Sequence, residues 1–209
     1  MASFVVFFAL LVATFTTNVY CDDGTAEATI LALEISGRLL ALPQLVKRIQ
    51  RELKTIRTAY PEVSSVGHSP RWAVGVLIAN VSDEQLEQIR IQYGEVTSRP
   101  MFEPYKVLTF AKPYNPEALA KELTSKNLVQ SAEPDSIIGG GNKIEYNTWN
   151  RVYTFSQGWG DCQAGCINKH FWDFYVFSTR AFLLREYGTP LNGGTDVAVA
   201  EEGVDASIV

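Results

Sequence analysis

Between Trp72 and Asp135 the chain alternates segment types over a short span, and this alternation limits the fold more than any other feature. Trp72 to Ile78 is a short apolar run rich in β-formers, the mark of a buried strand. Ser82-Asp83-Glu84-Gln85 has the form of a capping box, in which the Ser82 hydroxyl accepts from the Gln85 amide while the Gln85 side chain reaches back. The helix it opens carries Leu86, Ile89 and Tyr93 and stops at Gly94. Tyr105 to Phe110 reads as a second strand. Asn115-Pro116-Glu117 opens another helix with Leu119 and Leu123 one turn apart, and Leu128 to Ala132 reads as a third strand closed by Glu133-Pro134-Asp135. Such an order builds a small sheet with helices packed on it. A ferredoxin-like βαβαβ unit over 69–138 is the expectation for this α+β chain, and its split βαβ arrangement needs one further strand.

The flanks read differently. Over 22–68 the expectation is a pair of helices, one from about Ala26 to Leu42 and one from Pro43 to Ala59, where Leu45, Val46, Ile49, Leu53 and Ile56 recur at helical spacing. Pro43 starts the second helix and Pro61 stops it. Lys47, Arg51 and Lys54 fall opposite its apolar stripe, which reads as a solvated face before it reads as a basic docking face. After Gly139-Gly140-Gly141, taken as a hinge or tight turn, residues 139–191 turn to β: Asn150 to Ser156, Trp172 to Ser178 and Ala181 to Glu186 form an antiparallel meander. Phe171, Trp172, Phe174, Tyr175 and Phe177 are dense enough to expect a strand covered on both faces. Residues 192–209 have little periodicity and read as a loose tail.

The apolar run Phe4 to Phe15, followed by Thr16-Thr17-Asn18 and Val19-Tyr20-Cys21, has the layout of a signal peptide over residues 1–21. Cleavage after Cys21 would leave Cys162 and Cys166, an even number in an oxidising compartment, so a disulfide is expected. Asn80-Val81-Ser82 is a sequon that would make the chain a glycoprotein in a eukaryotic cell. With 18 basic and 23 acidic residues the net charge is −5, which disfavours non-specific nucleic-acid binding, because that binding depends on neutralising phosphates. No second apolar stretch of membrane length follows the leader, so no stable membrane anchor is expected. Secretion as an extracellular protein is the resulting expectation.

Gly158-Trp159-Gly160-Asp161-Cys162-Gln163-Ala164-Gly165-Cys166 crowds special residues into one constrained loop. A bridge enclosing so few residues fixes local shape more than it adds stability. A redox-active pair is the sharper alternative, although oxidoreductases favour two intervening residues. A metal site is the third, with Cys162, Cys166 and His170 at helical spacing and Asp161 or Asp173 as additions; the glycines and the oxidising compartment oppose it. His68 and His170 are the candidate bases for nucleophilic hydrolysis, but no G-x-S-x-G elbow accompanies them, and Gly139 to Lys143 lacks phosphate-loop spacing. No catalytic residue, metal ligand or cofactor is assigned.

Two resemblances extend this reading. Asn115 to Ala120 followed by Val129-Gln130-Ser131-Ala132-Glu133-Pro134-Asp135 resembles the end of subtilisin-type protease propeptides and their inhibitor relatives, where a helix leads into a strand with an acidic-proline turn. Ile56 to Val63, Pro70-Arg71-Trp72 and the Gly158 to Ile167 loop together resemble a family of secreted, mostly bacterial proteins of unknown function, which implies one evolutionary unit and supplies no activity. The leading expectation is a secreted, non-enzymatic protein-binding module, with propeptide-like protease inhibition as its specific form. A structural component of an extracellular or mineralised matrix and an unrecognised secreted enzyme are the alternatives.

Overall fold

The computed structural model describes residues 24–191. The leader expected over 1–21, Cys21 within it, and the tail expected over 192–209 lie outside the described residues. Among those described, two antiparallel four-stranded sheets and four α-helices give an α+β fold, and no helix is long and apolar enough to cross a membrane.

The first helical stretch is shorter than its composition suggested. Helix α1 spans Thr25–Ser36, because Gly37 takes a left-handed conformation and its N–H bonds back to Leu33 O at 2.9 Å, ending the helix six residues before Pro43 opens α2 (Pro43–Ala59). After the short 3-10 turn Pro61–Val63, the next elements run β1 (Trp72–Asn80), α3 (Asp83–Tyr93), β2 (Val96–Phe102), β3 (Tyr105–Phe110), α4 (Pro116–Ser125) and β4 (Ser131–Ser136). The sheet order is β2-β3-β1-β4, each neighbour antiparallel.

Strand β2 was not among the expected elements. Only Val96 of it is buried and Pro100 interrupts it, so it shows no alternation; as an edge strand it can carry that proline. The expected strand over 128–132 is displaced. Leu128 and Val129 are buried in the core ahead of β4, and Glu133-Pro134-Asp135 lies inside the strand rather than in a closing turn, again because an edge tolerates proline.

The capping box is present as expected, with Gln85 N donating to Ser82 Oγ at 3.2 Å and Ser82 N to Gln85 Oε1 at 3.0 Å. Asn115 Oδ1 caps α4 by accepting from the amides of Glu117 and Ala118. The helices cover one sheet face, where Leu77, Ala79, Leu108 and Phe110 meet Leu86, Ile89, Leu119 and Leu123. Gly75 is required in β1: its φ is 68°, and a Cβ there would sit 2.9 Å from Lys112 O.

The second sheet, β5 (Lys143–Asn147), β6 (Val152–Trp159), β7 (Asn168–Phe177) and β8 (Arg180–Gly188), is a meander in sequence order. β5 was missed because it is short and directly follows the glycines. Its core is not local. Ala28, Leu31, Ile49, Leu53 and Ile56 of α1 and α2 pack on Ile144, Tyr153, Phe155, Trp172 and Phe174, so the N-terminal helices share a core with the C-terminal sheet. The expectation that β7 is covered on both faces does not hold. Trp172, Phe174 and Val176 point into this core, whereas Phe171 stacks on Tyr187 at 5.0 Å and Phe177 is exposed.

Candidate functional site

The glycine-cysteine loop leaves β6 and returns into β7. Cys162 and Cys166 form a disulfide with an S–S length of 2.19 Å and Cα atoms 3.9 Å apart. Asp161 Oδ1 accepts from Gln163 N at 3.2 Å and closes the turn ahead of the bridge. The glycines around it are explained by contact. A Cβ on Gly140 would lie 2.5 Å from Cys166 N, and one on Gly158 would collide with the Cys166 sulfur. The Gly139–Gly141 segment is therefore packed against the bridge, held there by Gly140 N donating to Cys162 O and by Gly158 N donating to Asn142 Oδ1 at 3.3 Å. Closing a loop this short constrains the unfolded chain by about 2 kcal/mol, so the bridge acts chiefly as a local brace.

The residues proposed to join the cysteines are engaged elsewhere. His170 begins the buried part of β7; its Nδ1 lies 2.9 Å from Thr189 O and its Nε2 2.8 Å from Glu186 Oε1, with the ring against Trp172. Asp173 accepts from Thr154 Oγ1 at 2.6 Å and from Arg185 Nε at 2.5 Å on the outer face of the sheet. The i, i+4, i+8 spacing is not helical here, since residues 162–170 run from a loop into a strand. No group of three or more His, Cys, Asp or Glu that could hold a metal occurs among the described residues.

His68 sits at the junction of the two halves. Its Nδ1 accepts from Ile144 N at 3.2 Å and its Nε2 stands 3.1 Å from Glu34 Oε2. Glu34 also accepts from Arg71 N at 3.1 Å. Burial pushes the Glu34 carboxyl up, but hydrogen bonds from His68 and the Arg71 amide, with the charge of Arg71, leave it below the ordinary glutamate value. Two turns earlier Glu27 takes a bidentate pair from Arg57 at 2.7 and 2.9 Å and a third bond from His68 N at 2.9 Å. These two carboxylates of α1 clamp the linker into β1. Neither imidazole contacts a serine, threonine or cysteine side chain in these interactions, so the base of each histidine is directed at a structural partner.

Asn80, the glycan acceptor of the sequon, is half-buried at the end of β1 and donates from Nδ2 to Gln130 Oε1 at 3.0 Å, while Ser82 is occupied in the capping box. Lys47, Arg51 and Lys54 are all exposed along α2.

A buried polar contact escaped the sequence reading. Tyr153, fully buried, donates to Glu52 Oε2 at 2.6 Å; Arg48 Nε stands 3.7 Å from the same oxygen. Burial and the Glu52 carboxylate push the Tyr153 phenol far above its ordinary value. The signal was available: Glu52 falls on the apolar stripe of α2 between Ile49 and Leu53, and Glu27 and Glu34 are spaced i, i+7 on an otherwise apolar helix. No protein-family model, curated protein or solved structure matches the chain.

Proposed function

We propose that this is a secreted, non-enzymatic protein-binding module whose docking surface is the uncovered face of the first sheet, in the manner of propeptide-type protease inhibitors. One observation carries the reading. With Leu77, Ala79, Leu108 and Phe110 turned towards α3 and α4, strand alternation turns the half-buried Val76, Ile78 and Tyr105 to the opposite face, where no helix or strand of the second core packs extensively. Ile78, Tyr105 and Phe102 line a shallow depression of about 370 Å³ there, and Phe102 is 60% exposed. An apolar sheet face left open in this way is the kind of surface that marks a binding site. The β1-α3-β2-β3-α4-β4 order with its β2-β3-β1-β4 sheet supports a ferredoxin-like reading of this unit, while the propeptide resemblance rests on the Asn115 to Ala120 and Val129 to Asp135 residues, where α4 leads into β4.

The segment leaving β4 adds a second point of contact. Ile138 is 91% exposed between two anchors, Ile137 N bonded to Arg71 O at 3.0 Å and Gly140 N bonded to Cys162 O. It offers a protease an apolar side chain on a braced loop, whereas the chain beyond it is tied into the second sheet.

Subtilisin-like proteases assayed with micromolar protein should be slowed, and Ile78→Glu and Ile138→Asp should each relieve the inhibition by at least about tenfold, which is the cost expected for burying a charge at an apolar contact. Unchanged proteolysis rates with the intact protein would sink the inhibitor form of the proposal.

A further inference from the structure

One end of the second sheet carries a feature that neither core explains. Strands β6 and β7 are neighbours with Val152 opposite Tyr175, so the turn from β5 to β6 and the turn from β7 to β8 lie side by side, their adjoining strands about 5 Å apart. The first turn holds Trp149 clear of the molecule, 96% exposed, and the second is entered through Phe177, 61% exposed. Both turns are tightly closed. Trp149 N donates to Asn147 Oδ1 at 2.9 Å and Val152 N to Asn150 Oδ1 at 3.3 Å, while Phe177 pairs with Arg180 and leaves only Ser178 and Thr179 to reverse the chain. Behind them Tyr175 stands opposite Phe182 on the sheet face turned away from α1 and α2, since Ala181 and Leu183 on either side pack into the core.

Charge and size together select the partner. The chain has 23 acidic and 18 basic residues, yet residues 147–151 and 177–180 carry Arg151 and Arg180 and no carboxylate. Both arginines are exposed, and among the described residues neither has a carboxylate within 4.0 Å. A stable protein partner covers roughly 20 to 30 residues a side, whereas these two convex turns offer nine. A bilayer interface accepts them as they stand. An indole, apolar in body with a polar N–H, suits the headgroup layer, a phenyl ring enters the acyl boundary, and guanidinium forks match phosphate oxygens. Such attachment requires no membrane-crossing helix. We infer that the two turns dock the protein reversibly on an anionic lipid bilayer, Trp149 and Phe177 entering the interface and Arg151 and Arg180 holding lipid phosphates.

Vesicles of phosphatidylcholine alone and of phosphatidylcholine with phosphatidylserine are the probes, the protein being followed by flotation and by tryptophan emission. Trp72 and Trp172 are buried and Trp159 is half-buried, so a change in emission reports mainly on Trp149. The phosphatidylserine vesicles should carry the protein, shift its emission to the blue and release it as salt rises. Trp149→Ser should abolish the blue shift and weaken partitioning about tenfold, and Phe177→Ser several-fold. The double variant R151Q/R180Q should lose roughly 30-fold, on the anionic vesicles only. All four side chains are exposed, so the thermal unfolding of each variant should match that of the parent protein. No flotation with either vesicle, equal flotation with both, or undiminished flotation of W149S/F177S would overturn the assignment. These turns belong to the second sheet and the proposed protease surface to the first, so the variants should leave protease inhibition unchanged, and failure of either proposal is separately visible.

Discussion

The two cores of this molecule are assembled from chain in opposite ways. In the first, every strand and helix comes from one contiguous stretch, its buried residues running from Leu77 to Val129, so each helix finds its strands within that stretch. In the second, α1 and α2 must find a sheet whose central residues, Tyr153, Phe155, Trp172 and Phe174, lie about a hundred positions away. Closing that distance costs chain entropy before any contact repays it, so the second core is the slower and more conditional of the two. It also carries the more demanding interior, with a buried Glu52–Tyr153 contact and an aromatic centre, where the first is almost wholly apolar. The middle unit is in effect an insertion between two partners of one core. Asn115 links the two, capping α4 with its Oδ1 while its Nδ2 donates to Leu33 O at 3.1 Å and its own amide to Leu39 O at 2.9 Å.

The sharpest way to break the comparison is to damage each core separately. Phe174→Ala should cost about 4 kcal/mol and Leu108→Ala about 3 kcal/mol, both being fully buried. Hydrogen exchange should place the first loss in β5 to β8 together with α1 and α2, and the second in β1 to β4 with α3 and α4. A double variant in which the two losses add within about 0.5 kcal/mol would mark the cores as energetically separate, whereas strong coupling would show that Asn115 and the Glu27–Glu34 clamp bind them into one unit.

A smaller loss is expected from Tyr153→Phe, which leaves the Glu52 carboxylate buried without its closest donor, at about 2 to 3 kcal/mol. The same pair makes a pH prediction. Since the folded-state phenol titrates far above its ordinary value of 10.0, its contribution is complete below that value and is lost progressively as pH rises beyond it. Alkaline unfolding should therefore begin near pH 10 in the parent protein and be blunted in Tyr153→Phe. An alkaline profile identical in the two would remove this pair as the second core's weak point.

The smallest effect belongs to the junction. Glu34 titrates below its ordinary value of 4.5, so its contribution is present above that value and is lost as pH falls through the lower folded-state value. Glu34→Gln should lower stability at neutral pH by about 1 kcal/mol and flatten the acid limb below pH 4.5. Thermal melts across that range would show it.

How much of this was legible depended on whether the deciding contact was near in sequence. The Ser82–Gln85 box, the Asn115 cap, β3 and the Cys162–Cys166 pair are read directly because each is made by residues within a few positions of one another. Strand β2 was hidden because one buried residue, Val96, cannot make an alternation, and β4 was misplaced because an edge strand accepts a proline that a central strand would refuse. Gly140 reads from sequence as part of a hinge or tight turn and Gly158 as part of a constrained loop, and both are the space into which the disulfide packs. His170 and Asp173, drawn towards the cysteines by spacing, are turned away by strand geometry to Glu186 and Arg185.

The amino-acid sequence by itself determined the most local features: the Ser82 and Asn115 caps, strand β3, the two cysteines that close a loop, and that the middle unit is a small helix-covered sheet. Only the tertiary structure decided which helices serve which sheet and which face of the first sheet stays open. The physical reason is that caps and turns are fixed by bonds a few residues long, whereas partners across a core are selected by the apolar area they bury together, and that area belongs to no single segment.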